Sequence, residues 1–252
     1  MVTYEQHGHV AVLTIRRPEA RNAINGEVAS AMEDNLDRLE DEADTWVGII
    51  AGEGTVFSAG ADLKAINAGQ GGGLNTKRGG FAGLVRRERS KPLIAAVDGP
   101  ALAGGCEIAL ACDMIVASTA ARFGLPEVKR SLVAAGGGLF RLPASIPPKI
   151  AMELVLTGDP IDAERAYALG LVNALVEPGQ AVPAALQLAE RICANAPVAV
   201  RESRRVVLAT DRSESELWRL SNEAFGTVSA TEDYAEGPLA FIEKRAPNWQ
   251  GR

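Results

Sequence analysis

Residues 93–118 read LIAAVDGPALAGGCEIALACDMIVAS, a stretch that is apolar almost throughout yet carries an acid, Glu107, in its middle, just after the Gly104-Gly105 pair. An ionised carboxylate buried without partners is very costly. Glu107 is therefore paired with a cation, held protonated, or set against a cavity where chemistry occurs. A second acid favours the last reading. In ARFGLPEV, residues 121–128, Glu127 follows Gly124 and Pro126 in another apolar setting. Two carboxylates on separate elements could then face one site, as general acid–base chemistry requires. The run is long enough to span a bilayer, but Asp98, Glu107, Asp113, Gly99-Pro100 and Gly104-Gly105 divide it. It reads instead as buried strand, turn and helix.

Outward from this stretch, short apolar runs rich in β-branched residues recur at 10–15, 47–50, 93–97 and 114–117, with longer helical patterns between them. That alternation predicts an α/β fold. Helices are expected at about 26–42, 104–111, 148–157 and 162–169, the last opening on Asp162 as N-cap and closing at Gly170. Beyond about residue 180 strand signals fade. Segments 181–194, 197–209, 213–229 and 231–244 read as helices broken at Pro197, Asp211 and the Thr231 region. The chain divides into a core over 1–195 and a helical region over 196–252 that packs on the core or on a neighbouring subunit. The one low-complexity segment, AGQGGGLNTKRGG at 68–80, lacks the ending of a phosphate-binding loop and reads as a mobile surface loop or a lid.

Composition excludes several classes. Apolar residues make up 47% and charged residues 23% of the 252, with a net charge of −6. Without a basic block the chain lacks the footprint that nucleic-acid binding requires. Cys106, Cys112 and Cys193 show neither metal-ligand spacing nor a redox pair, so they read as reduced core thiols. The first residues carry no secretory pattern, so the expected location is cytoplasmic. The only histidines are His7 and His9. A serine–histidine–aspartate hydrolase and a zinc enzyme both lack support for that reason.

Gly104-Gly105 at the start of a helix leaves backbone N–H groups free, reinforced by the helix dipole. A second donor candidate lies in FSAGADLK, 57–64, where Gly60 permits a tight turn and Ala61 begins a helix-like segment. Two converging N–H groups would make an oxyanion hole for a carbonyl oxygen that becomes an enolate.

These residues lead to a family. The chain resembles the crotonase, or enoyl-CoA hydratase/isomerase, superfamily through RRPEARNAI at 16–24, VFSAGADLKAI at 56–66, KPLIAAVDGPALAGGCEIALACDMIVAS at 91–118, ARFGLPEV at 121–128, LTGDPIDAERAYALGLVN at 156–173 and EGPLAFIEKRAPNWQG at 236–251. The resemblance implies a crotonase-like spiral of ββα units with a C-terminal helical region that builds trimers, commonly paired into hexamers. It implies that Ala61 and Gly104 hold the thioester carbonyl of an acyl-CoA, and that Glu107 and Glu127 are the catalytic acids. It places CoA along Ala20, Arg21 and Ala23, along Ala59, Asp62, Leu63 and Lys64, and near Ala135. Lys244 and Trp249 are further candidates for the nucleotide end, against a solvent-facing tail. Asp113 is expected to be a cap or a paired carboxylate.

Because family members with other reactions often replace one or both acids, the intact pair implies an enoyl-CoA hydratase, a hydro-lyase that needs no cofactor or metal. An enoyl-CoA isomerase and a weakly catalytic acyl-CoA-binding protein are the alternatives. The chain departs from the family's hydratases after Glu127, where Lys129, Arg130 and Ala134-Ala135 stand in a segment that usually runs to Pro-Gly, and at Ala103, where glycine is frequent. Those changes bear on the acyl pocket.

Overall fold

The computed structural model describes every residue except Asp211. The helix break read at that position lies outside the described residues. Six strands form the main sheet in chain order: β1 Val2–His7, β2 Val10–Ile15, β3 Val47–Gly52, β4 Leu93–Val97, β5 Met114–Ser118 and β6 Ala174–Val176. The first pair is antiparallel and the rest are parallel. Parallel neighbours need crossovers, and here each crossover contributes a short second-layer segment. Residues 22–24, 58–61, 101–102, 122–124 and 161–162 lie side by side, linked through the pairs Ile24 with Ala61, Ser58 with Ala101, Ala101 with Phe123, and Phe123 with Ile161. The chain is thus a spiral in which each turn lays down a sheet strand, a second-layer segment and helix.

Alternation along the strands splits the core in two. Ala11, Leu13, Ile15, Ile50, Ala95, Val97, Ile115 and Ala117 face helix α1 (Gly26–Asp41), which buries Val28, Ala29, Met32, Leu36 and Leu39, and helix α2 (Gly104–Ala111). On the other face Val10, Val12, Val47, Ile49, Ala51, Ile94, Ala96 and Val116 meet Ala181, Ala185 and Ala189, one stripe of α6 (Ala181–Cys193). Between these lie α3 (Gly138–Ser145), α4 (Pro148–Thr157) and α5 (Ala163–Ala168), the last capped by Asp162, whose side chain accepts from Arg165 N.

The chain ends in α7 (Pro197–Val207), α8 (Glu214–Ser229) and α9 (Glu232–Glu243). Asp113 ties this region to the core: it accepts from Leu93 N at 2.8 Å and pairs with Arg89 at 3.2 Å and with Arg204 of α7 at 2.9 Å. The paired-carboxylate reading of Asp113 is borne out. The glycine-rich stretch 68–80 takes defined turns and a two-residue hairpin, Asn75–Thr76 with Gly80–Phe81, because the Glu33 carboxylate on α1 accepts from Thr76 Oγ1 and from Gly79 N. Among the described residues, no helix is long and apolar enough to cross a membrane.

Candidate active site

The second layer sets the site. Asn22, fully buried, accepts from Arg17 N and donates to Glu53 O and Val56 O, which fastens the first turn of the spiral to the second. Ser58 Oγ then donates to Asn22 O and accepts from Gly60 N. Gly60 has φ +87°, and a Cβ there would lie 2.6 Å from Gly104 N, so only glycine lets these two turns touch. The next turn does the same with a heavier residue. Ala103 holds φ +52°, ψ −127°, in the left-handed half where a Cβ is strained, and α2 opens directly after it. Among the described residues, the Ala61 and Gly104 N–H groups donate to no acceptor, and both residues line one cleft. Ala61 itself does not begin a helix: Asp62 caps the helical run that starts at Leu63 and continues through Ile66–Gln70, accepting from Lys64 N and Ala65 N.

Glu107 lies on α2 with 4% of its surface exposed. Its Oε1 accepts from Gly138 N at 2.9 Å, and a Cβ at Gly136 would come within 2.6 Å of Oε2. Burial pushes the Glu107 carboxyl up to about 7, the Glu127 charge adds to that, and the Gly138 N–H and the Arg141 guanidinium oppose it. Glu127 sits in the Pro126–Arg130 turn, and its Oε2 is buried with no hydrogen-bond partner. Burial raises its pKa as well. One carboxyl therefore has donors that favour an acceptor role. The other has a bare buried oxygen suited to holding a proton.

Both acids face a cleft of about 540 Å³. Of the residues singled out from sequence, the cleft wall gathers Glu107, Glu127, Ala61, Gly104, Arg21, Ala59, Leu63 and Ala135. The remaining four lie off that wall. Ala23 is buried and its carbonyl accepts from Arg17 Nη1, Asp62 pairs with Arg17 at 3.2 Å, Lys64 faces solvent, and Ala20 sits in the short 3-10 turn Pro18–Ala20. Trp249 donates to Ala194 O, and neither it nor Lys244 lines the cleft. A larger hollow of about 1080 Å³ lies between the core and α7, lined by Arg87, Arg89, Asp113 and Arg204 among others, and holds neither catalytic candidate.

The sequence matches the family profile described as enoyl-CoA hydratase/isomerase over residues 5–252. The chain belongs to the enoyl-CoA hydratase/isomerase family. It is 41% identical to the enoyl-CoA hydratase EchA19 of Mycobacterium tuberculosis, covering 98% of this chain and 96% of that one. It is 40% identical to the carnitinyl-CoA dehydratase of Salmonella arizonae, over 98% and 97% of the two chains. The crystal structure of an enoyl-CoA hydratase from Mycobacterium tuberculosis H37Rv superposes with a TM-score of 0.96 at 47% identity, over 100% and 99% of the chains. The α/β spiral is the crotonase fold, as the motifs implied.

Within this family frame, the structure separates the two cations that set the chain apart after Glu127. Lys129 turns outward to Asp159 at 2.5 Å, whereas Arg130 lines the cleft. Phe81, Val85, Arg86, Leu102, Leu132 and Val133 also line the wall and were not singled out from sequence as site residues. Phe81 follows the glycine-rich stretch, and its ring lies 2.5 Å from where a Gly104 Cβ would be, so it packs on the second of the two turns. No local motif marks an aromatic residue for that role. Arg141 was missed too. It lies behind the cleft, with Nη1 donating to Gly136 O at 3.0 Å and Nη2 to Val85 O at 2.6 Å.

Proposed function

We propose that the chain is an enoyl-CoA hydratase, adding water across the 2,3 double bond of a trans-2-enoyl-CoA to give a 3-hydroxyacyl-CoA. The observation that supports it best is the pair Glu107 and Glu127, both buried, both raised in pKa and both lining the cleft that carries the two free N–H groups. The thioester oxygen sits between Ala61 N–H and Gly104 N–H. Glu107 takes a proton from water as the water oxygen bonds to C3. The double-bond electrons move onto the thioester oxygen, where the two N–H groups stabilise the enolate. Protonated Glu127 then delivers its proton to C2. Syn addition needs a base and an acid on one side of the double bond, and two neighbouring carboxyls, both raised by burial, supply one of each. No cofactor or metal takes part, and the CoA moiety runs past Arg21, Ala59 and Leu63.

Charge in the cleft favours an acyl group without positive charge over one bearing a quaternary ammonium. Among the described residues, Arg21, Arg86 and Arg130 line it, its only acids are the two reacting carboxyls, and Phe81 is its one aromatic residue. A trimethylammonium group would meet like charge and no aromatic cage. The helical end of the chain assembles the protein as a trimer or a dimer of trimers.

The test is to incubate the protein with crotonyl-CoA, longer and branched 2-enoyl-CoA thioesters and the trimethylammonium-bearing analogue, following loss of the conjugated chromophore and identifying products by mass. Gain of one water on the uncharged substrates, reduced about 10²–10⁴-fold in Glu107→Gln and in Glu127→Gln, is the expected result. Near-normal turnover in Glu127→Gln would overturn the mechanism. Conversion of a 3-enoyl-CoA without gain of water would point to an isomerase, and tight binding without turnover to an acyl-CoA-binding protein.

A further inference from the structure

The glycine triplet 136–138 is shaped by three different neighbours. A Cβ at Gly136 would meet Glu107 Oε2 at 2.6 Å, one at Gly137 would meet Arg141 Nη1 at 2.1 Å, and one at Gly138 would meet Leu125 Cδ1 at 2.8 Å. The triplet is thus a thin backbone layer between a carboxylate on its cleft side and a guanidinium on the other. We propose that Arg141 is a positioning residue for the hydration reaction: by tying Gly136 O to Val85 O behind the cleft, it fixes the backbone that presents the Gly138 N–H to Glu107. This rests on the hydratase reading only for its kinetic part.

The geometry is specific to arginine. One planar fork spans two carbonyls on separate segments, Gly136 O at 3.0 Å and Val85 O at 2.6 Å, which a single ammonium does less well. Val85 also lines the cleft. The same fork therefore fixes the cleft wall and the donor to the base together. Arg141 lines the hollow behind the site and not the cleft itself, so it acts through the triplet and touches no substrate.

Its charge also bears on Glu107. The charged groups facing that carboxyl are Glu127, from the Pro126–Arg130 turn, which raises its pKa, and Arg141, from α3, which lowers it. Beside it on α2, the Cys106 thiol is pushed up by burial to about 12 and stays neutral. Removing the guanidinium leaves the Glu127 charge unopposed by Arg141. Glu107 should then hold its proton to higher pH.

The experiment compares wild type, Arg141→Gln and Arg141→Lys by two readouts. The first is the Glu107 titration, followed by ¹³C NMR of glutamate-labelled protein, with the signal assigned through Glu107→Gln. It needs no turnover and so separates this proposal from the hydratase reading. The titration midpoint should rise by about one pH unit in Arg141→Gln and stay near wild type in Arg141→Lys. The second readout is steady-state hydration of crotonyl-CoA. Here kcat should fall about 10²-fold in both variants while KM moves less than about threefold, because a lysine keeps the charge but not the two-carbonyl span. An unmoved midpoint in folded Arg141→Gln, or wild-type kcat in Arg141→Lys, overturns the proposal. If Arg141→Gln does not fold, Arg141→Lys decides alone: reduced kcat at unchanged KM supports it, and unchanged kcat overturns it.

Discussion

Glu107 is held between opposing influences, and the balance has a measurable cost for the folded state. Burial and the neighbouring Glu127 push its carboxyl up to about 7, against an ordinary value of 4.5. A carboxyl raised on folding binds more protons in the folded chain than in the unfolded one. Its contribution to stability is therefore fully present below the unfolded pKa and is lost as pH rises through the folded one. The window is about pH 4.5 to somewhat above 7, and the loss approaches about 3 kcal/mol for a group this well buried. Glu107→Gln has no such term. Urea unfolding of both proteins at pH 5 and pH 8.5 should show the variant gaining on wild type at the higher pH, whereas equal differences at the two pH values would mean that Glu107 is ionised without penalty. Glu127 is raised in the same direction by its own burial, so its ionisation also lowers wild-type stability as pH rises.

The turn that opens α2 carries strain where the reaction needs rigidity. Ala103 sits at φ +52°, a conformation that costs a non-glycine residue about 1–3 kcal/mol. Ala103→Gly removes that strain but adds freedom to the unfolded chain, worth about 0.4–1 kcal/mol in the other direction. The net expectation is a gain of about 1 kcal/mol, read as a rise in the thermal midpoint. A fall would show that the alanine methyl contributes packing the turn cannot lose. Helices such as α1, α2 and α4 were legible in the sequence because they are long enough for a 3.6-residue period and are bounded by Asn25, by the Gly104-Gly105 pair or by Pro148 and Gly158. The second-layer strands were not. Ala101–Leu102 and Ile161–Asp162 are two residues each, too short to show any alternation, and exist because a neighbouring turn of the spiral pairs with them. Helix α3 was hidden by the glycines before it and by Pro143 within it. Among the site residues, the acids stood out because charge in an apolar run is conspicuous. Phe81, Val85 and Leu102 are apolar residues among apolar residues, and only the fold says which of them reach the cleft.

At the scale of the whole molecule, the helical end leaves a large apolar area uncovered. Trp218 and Phe225 on α8 and Phe241 and Ile242 on α9 are 63%, 63%, 85% and 75% exposed. Four such side chains on adjoining helices exceed the scattered apolar exposure normal for a monomer and fit a heterologous contact between copies of the chain that closes into a ring. Light scattering coupled to gel filtration should therefore give a mass of three or six chains, and Phe241→Glu with Ile242→Glu should lower it toward one. A wild-type protein that runs as a single chain would remove this reading. The spiral itself divides the labour of change. Ala61, Gly104 and Glu127 follow second-layer segments locked in register, Ser58 beside Ala101 and Ala101 beside Phe123, and Glu107 rides the helix that Gly104 opens. Phe81, Val85 and Arg86, by contrast, come from the excursion over residues 66–92 that follows Ala61 and precedes β4, which carries no strand of the main sheet. Descendants of such a chain are free to lengthen, shorten or recolour that excursion, and so to take up new acyl groups, while inheriting the reaction frame unchanged.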